Sequence, residues 1–311
     1  QDSPSWIRSP LSYFITVLFR VVCLVGLVQC AYSQSRQTQT DYYPFQFDQF
    51  EKAYALTNPA YIGQNKAFGI NLGTQFDGNL NGQVRSTFTT VSLRIQAEEK
   101  GNPQYIGLNL YTDKQGPFLN TTSFYGIYAV DINLSDTLTL SGGLAAGGIS
   151  YSVDQTPTTP ATSDLSPDAK GGIWLKGTQY YIGASINQVL NNRITPFQDP
   201  LQIDRHFNFT AGGHIDLGQG FELGLSGIIR TGNSEQELLN ILLKLNENVS
   251  GGLAYKFRNN QIIAKIGLSR VKIGSNKLEA MVSNRIGLSQ PGRQFLGNFQ
   301  TLGLSASYYM H

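Results

Sequence analysis

The sequence predicts an all-β protein, a transmembrane antiparallel β-barrel of about 14 strands after an N-terminal signal peptide. Three observations predict it. Charged residues make up 14% of the 311 residues, whereas soluble domains carry about 25%. Apolar residues alternate with small or polar ones over most of the chain. Short segments rich in Gly, Asn or Asp interrupt that alternation, as hairpin turns between antiparallel strands require.

The composition also excludes two other classes of protein. The chain contains 16 Tyr and 17 Phe and has a formal net charge of +2. A disordered chain has few aromatic residues and a high net charge. A nucleic-acid-binding protein needs an excess of clustered Lys and Arg to neutralise phosphates.

Residues 1–33 are predicted to be the signal peptide. The apolar stretch Phe14–Val28 is interrupted by Arg20, and Ala31–Ser33 has the small residues that precede a signal-peptidase site. We expect cleavage before Gln34. One alternative is a membrane anchor, but the uninterrupted apolar run is about 8 residues and a spanning helix needs about 20. The other is a lipoprotein modified at Cys30, but Gln29 occupies the position where a small residue is expected.

Residues 34–66 form a polar and aromatic lead-in to the barrel. It contains Tyr42–Phe47 and Asn58–Gly63, and it precedes the alternating pattern. Two roles are open for this lead-in: a plug or periplasmic segment packed against the barrel, or a binding site for a partner protein.

Residues 67–311 are predicted to form the barrel. Around residue 265, for example, the apolar positions 262, 264, 266 and 268 alternate with Ile263, Lys265, Gly267 and Ser269. Such alternation exposes one face to lipid and the other to a polar or small-residue interior. A soluble sandwich or propeller would carry Lys, Glu and Asp on its outer face.

Fourteen strands follow from this pattern and its turn signals. They lie near residues 67–76, 84–97, 104–112, 119–134, 137–153, 168–177, 179–190, 206–217, 221–231, 236–246, 249–258, 261–273, 277–287 and 299–311. Residues 236–246 have apolar residues at both alternating positions, so a short helix is the alternative there. The stretches 155–167 and 191–205 are expected to be irregular.

The sequence contains no recognisable catalytic or metal-binding motif. Cys23 and Cys30 lie in the predicted signal peptide, so the mature chain would have no cysteine chemistry. His206 and His214 are eight positions apart in one predicted strand, about 26 Å at 3.3 Å per residue, which is too far for one metal ion. The paired glycines Gly142-Gly143, Gly147-Gly148 and Gly171-Gly172 lie within predicted strands, where they are expected to relieve crowding or permit bending. We expect no cofactor and no enzyme activity.

Six stretches of the sequence are similar to motifs of one known family and follow each other in the same order. They are Asn58-Pro59-Ala60-Tyr61-Ile62-Gly63, Tyr111-Thr112-Asp113-Lys114-Gln115-Gly116-Pro117-Phe118 with Asn120-Thr121-Thr122 following, the block from Leu138 to Asp154, Pro167–Trp174, Tyr181–Ile186 and Arg205–Gly213. Together they resemble the PorP/SprF family of outer-membrane proteins of the type IX secretion system in Bacteroidetes. The resemblance extends over nearly all of the predicted mature chain.

This resemblance implies a non-enzymatic outer-membrane β-barrel of a Gram-negative bacterium. Members of the family support secretion or surface attachment of large cargo proteins and adhesins, and gliding where it occurs. The implied partners are other type IX secretion components, a secreted cargo or adhesin, and outer-membrane lipid, but no nucleic acid. The candidate family-motif or partner-contact residues are Asn58, Pro59, Ala60, Tyr61, Gly63, Asp113, Lys114, Gly116, Pro117, Arg205 and His206.

The sequence leaves two alternative functions for the protein. A passive channel or small-molecule transporter would carry opposed rows of acidic and basic side chains in its lumen. The predicted inward faces, for example Lys265, Gly267 and Ser269, are small and weakly charged. A lipid-acting enzyme would depend on His214, and no serine near it has a nucleophile motif.

Overall fold

A computed structural model describes residues 47–63, 67–77, 84–96, 101–116, 118–155, 160–191, 193–195, 201–231, 236–246, 248–257, 260–287 and 301–310. The predicted signal peptide, residues 34–46 of the lead-in and Pro117 lie outside these residues.

Fourteen antiparallel strands close into one barrel, which confirms the predicted fold and strand number. The strands are β1 Phe68–Asp77, β2 Val84–Gln96, β3 Gln104–Gln115, β4 Leu119–Ser135, β5 Leu138–Val153, β6 Thr162–Lys176, β7 Tyr180–Asn187, β10 His206–Gly218, β11 Phe221–Thr231, β12 Gln236–Leu245, β13 Val249–Lys256, β14 Gln261–Ile273, β15 Asn276–Gly287 and β16 Thr301–Met310. The two-residue strands β8 Arg193–Ile194 and β9 Leu201–Gln202 pair with each other, so β7 pairs with β10. The barrel closes where β1 pairs with β16, from Phe68 opposite Met310 to Asp77 opposite Thr301.

Strand β6 begins at Thr162, earlier than the sequence predicts, because Pro167 is tolerated there. The prediction treated the Thr-, Pro- and Ser-rich stretch 155–167 as irregular. Residues 162–170 pair with β5, whereas β7 pairs with β6 only from Gly171 to Lys176. Pro167 is opposite Gly148 of β5 and lies outside the part of β6 that pairs with β7, so its missing N–H interrupts no ladder between β6 and β7.

Residues 236–245 form a strand, and the helical alternative is wrong. Strand β12 pairs along its length with β11 and β13. Apolar residues occur at both alternating positions because Leu238 is buried inside the barrel, whereas Leu239 and Ile241 are exposed on the outside. Backbone pairing with two neighbours outweighs the helix propensity of Leu and Glu.

The outer surface of the barrel is apolar, as the alternation predicts. In β14, Ile262 and Ile266 are exposed and Ile263 and Lys265 are buried. Leu144 in β5, at 68% exposure, belongs to the same outward set. A closed barrel pairs its backbone polar groups internally, so such a surface can face hydrocarbon.

Successive strands alternate in direction, which divides the connections between two rims. The proximal rim has the start of β1, the end of β16 and the two-residue turns 136–137, 219–220 and 274–275. The distal rim has the connections 116–118, 154–161 and 188–205.

The described residues before β1 that lie in the range 47–63 form three short turns of helix. These are a 3-10 turn at Phe50–Lys52, helix α1 at Tyr54–Thr57 and a second 3-10 turn at Pro59–Gly63. Among the described residues, no helix has the length and hydrophobicity needed to cross a membrane.

Candidate functional site

The residues Phe47–Gly63, called the inner segment below, lie within the barrel lumen. Phe50, Tyr54 and Ala60 are buried in one cluster with inward side chains of the wall: Trp174, Ile228, Leu238, Ala254 and Ile263. Those wall residues come from five different strands. The inner segment therefore contacts the wall across the width of the barrel.

Three ion pairs join the inner segment to strands β14 and β15. The Lys265 ammonium lies 2.9 Å from both carboxylate oxygens of Glu51, and Arg285 Nε lies 3.3 Å from Asp48 Oδ2. Lys52 pairs with Glu279. A buried charge is strongly unfavourable without a partner. The inner segment thus supplies countercharges that the two wall cations, Lys265 and Arg285, require.

The expectation that the inward faces are weakly charged is therefore wrong. Lys265, Arg285 and Arg230 are each at most 6% exposed. Small residues such as Gly267 do lie on the same inward face, as expected. However, the alternation indicates which way a side chain points and not what fills the lumen.

Side chains of the opposite wall bind the carbonyl end of helix α1. Asn109 Nδ2 donates to Ala55 O at 2.6 Å, and Lys170 Nζ donates to Leu56 O at 2.9 Å. Thr57 O accepts from Ser185 Oγ at 2.7 Å and from Asn187 Nδ2 at 2.9 Å. The last carbonyls of a helix lack partners within the helix. Here the wall provides them.

Asn58 connects the inner segment to the backbone of β6 and β7. Its Nδ2 donates to Ile173 O at 3.0 Å and to Ala184 O at 3.3 Å. Its Oδ1 accepts from Ala60 N at 3.0 Å, which is the N-cap interaction for the turn that starts at Pro59. Proline suits the first position of such a turn because no N–H is needed there.

Two wall glycines allow this close approach. A Cβ at Gly143 would lie 2.4 Å from Ala60 N, and a Cβ at Gly172 would lie 2.1 Å from Asn58 Oδ1. The neighbouring Gly142 would meet nothing within 4 Å. The interpretation that paired glycines relieve crowding is confirmed for Gly143 and Gly172, and the inner segment is what crowds them.

Tyr61 belongs to an aromatic cluster with Tyr54, Trp174 and Tyr181. The Tyr61 and Trp174 ring centroids are 5.0 Å apart, and Trp174 stacks on Tyr181 at 5.1 Å. The Tyr54 and Tyr181 hydroxyls are 2.8 Å apart. Burial raises the pKa of both Tyr54 and Tyr61 above the ordinary value, so these hydroxyls remain protonated.

The remaining candidate residues lie at the distal rim. Asp113 is buried and accepts a hydrogen bond from Ser86 Oγ at 2.7 Å. Lys114 is the next residue, and Gly116 has a φ of +76°, which favours glycine in the turn. Exposed Arg205 donates through Nη2 to Val189 O at 2.6 Å.

His206 is the rim candidate that reaches the inner segment. It is 1% exposed, and its Nδ1 lies 3.0 Å from Gln188 Oε1. It lines a cavity together with Leu56 and Thr57. His214, on the same strand, is exposed. Within the described ranges, no group of three His, Cys, Asp or Glu could hold a metal ion.

Sequence reasoning missed the wall side of this site. Asn109, Lys265 and Arg285 lie outside the family stretches, and Ser185 lies within Tyr181–Ile186 without being singled out. Polar residues occur at many inward positions of the barrel, so position in the pattern could not single them out. The glycine pairs were the available signal, and they mark two of the contact points.

A family described as "Type IX secretion system membrane protein PorP/SprF" matches residues 39–305. No curated protein sequence is significantly similar to the chain.

Solved structures of barrels are similar in fold. A FadL homologue from Pseudomonas aeruginosa has a TM-score of 0.52 at 10% identity, and the match covers 84% of this chain and 94% of that one. A deletion mutant of the monoaromatic hydrocarbon channel TodX has a TM-score of 0.50 at 11% identity, covering 88% and 96%. At these identities the similarity shows the fold alone.

Proposed function

Because the chain belongs to the PorP/SprF family of type IX secretion system membrane proteins, we propose that it supports secretion or surface attachment of large cargo proteins. The protein is an outer-membrane β-barrel. In this proposal it acts by binding other secretion components and a cargo or adhesin, without catalysing a reaction.

The inner segment, which crosses the lumen from wall to wall, is the observation that carries this proposal. The inner segment contacts the wall on opposite sides through ion pairs and hydrogen bonds. The two cavities next to helix α1 and His206 have volumes of only about 40 and 20 Å³. A passive channel needs a continuous open path, whereas a docking protein needs a rigid scaffold.

The distal rim is the proposed docking surface. It has the longest connections between consecutive described strands of the barrel, including 154–161 and 188–205, whereas the proximal rim has several two-residue turns. Outer-membrane barrels have their short turns on the periplasmic side, so the distal rim is assigned to the cell exterior. The candidate residues Asp113, Lys114 and Arg205 lie there.

Hydrogen bonds hold together the described residues of this rim. Asn120 Nδ2 donates to Asp154 Oδ2 at 3.1 Å, and Asp154 N donates to Phe118 O at 2.8 Å. Thr195 N donates to Asp164 Oδ2 at 2.7 Å. A preordered surface loses less conformational entropy when a partner binds.

Deletion of the gene tests the proposal. We expect a loss of large cargo from the cell surface, restored by the wild-type gene, and unchanged display would contradict the proposed function. Complementation with Arg205→Glu should reduce display because the exposed charge is reversed at the proposed surface. Lys272→Glu, an exposed reversal beside the proximal turn 274–275, is the matched control.

A passive channel is the second candidate function. One barrel of similar fold is named a monoaromatic hydrocarbon channel, but a similar path here would require the inner segment to move. Planar-bilayer conductance of the purified barrel distinguishes the two. A docking protein should show a closed state, and a stable open pore would favour the channel.

A further inference from the structure

A small cavity in the lumen lies between the inner segment and the distal half of the wall. It has two lobes of about 40 and 20 Å³ that share Lys170, Asn187 and His206. A cavity needs about 10–15 Å³ to hold one water-sized occupant. Either lobe is therefore large enough for a single small ion or a water molecule.

The charged side chains that line the cavity are all basic, although the carboxylate of Asp168, outside the lining, interacts electrostatically with Lys170. Lys170 lines both lobes and Arg230 lines the larger one, and no acidic residue is among the described lining residues. Asp168, two positions before Lys170, accepts a hydrogen bond from Tyr125 at 2.6 Å. A cavity lined by a buried cation favours an occupant with negative charge.

The smaller lobe also contains two buried polar atoms with no hydrogen-bond partner. These are Thr121 Oγ1 and Gln188 Nε2, on side chains that are 1% and 2% exposed. Gln188 Oε1 faces His206 Nδ1 at 3.0 Å, and an amide oxygen can only accept. The unpartnered Nε2 of that amide can only donate, and a hydroxyl can donate too. An unsatisfied buried donor is costly.

We infer that the smaller lobe is a binding site for a small monovalent anion of halide size. The anion accepts from Thr121 Oγ1 and Gln188 Nε2 and lies beside the ammonium of Lys170. Because Lys170 also donates to Leu56 O, the site lies next to the end of helix α1. This inference is independent of what docks at the distal rim.

The experiment uses the full-length barrel in detergent and chloride as the probe. Gluconate, which is too large for the lobe, is replaced by chloride at constant ionic strength, which keeps the screening of surface charges unchanged. We expect a saturable rise in the thermal unfolding midpoint. Crystals soaked in bromide should show an anomalous peak in the lobe. A midpoint equal in both salts, or a lobe without bromide, would overturn the inference.

Two variants separate binding from folding. Thr121→Val keeps the shape of the side chain and removes an unpartnered hydroxyl, so the variant should fold. It should bind chloride about tenfold more weakly, because one hydrogen bond to a charged group is lost. Lys170→Met should weaken binding further. Lys272→Met removes an exposed lysine outside the cavity and should bind as the wild type does. Equal chloride affinity in Thr121→Val and wild type would also refute the site.

Discussion

Replacing Gly143 by alanine tests whether the inner segment is docked against the wall. The added Cβ would lie 2.4 Å from Ala60 N and 2.5 Å from Pro59 C. Both atoms are backbone, so no side-chain rotation relieves the contact and the segment must shift. Overpacking of this kind costs about 1–3 kcal/mol. The population with a displaced inner segment should rise about 5- to 140-fold, since 1.4 kcal/mol is tenfold.

Gly142→Ala is the matched control, because its Cβ would meet nothing within 4 Å. Single-channel recording in planar bilayers measures how often each variant opens, and heat-modifiable gel mobility checks that each barrel is folded. We expect rare openings in the wild type and Gly142→Ala and more frequent ones in Gly143→Ala. Equal opening frequencies in two folded variants would show that the segment does not close the lumen through this contact.

Three other changes test the remaining contacts by urea unfolding in lipid vesicles. Glu51→Gln leaves Lys265 buried without its countercharge and should cost about 3–5 kcal/mol. The double variant with Lys265→Met should recover part of that loss, and no recovery would contradict a direct ion pair. Asn58→Ala removes three hydrogen bonds and should cost about 1–3 kcal/mol, whereas a neutral result would mean that the segment is held elsewhere. Leu144→Arg places a charge in lipid and should cost about 2–4 kcal/mol at the bilayer midplane; a cost near zero would place Leu144 outside the hydrocarbon.

The sequence by itself determined the strand number, the closure and the outward face. Side chains alternate with a period of exactly two in a strand, so the positions of Ile262, Ile263 and Ile266 were readable without coordinates. Turn signals such as Gly274-Ser275 separated the strands because few residues accept the backbone angles of tight turns. The start of β6 was misjudged, since local composition around Pro167 does not reveal that β7 pairs only with residues 171–176 of β6.

Only the tertiary structure decided what the lumen contains. Asp48 and Glu51 lie more than two hundred positions before Arg285 and Lys265 in the chain, and no local pattern relates them. Closing the barrel brings the first described residues against the last strands, and the low-dielectric interior then requires each buried charge to find a partner. The same closure places Gly143 and Gly172 against Ala60 and Asn58. Pairing over such distances is a property of the closed barrel and not of any one strand.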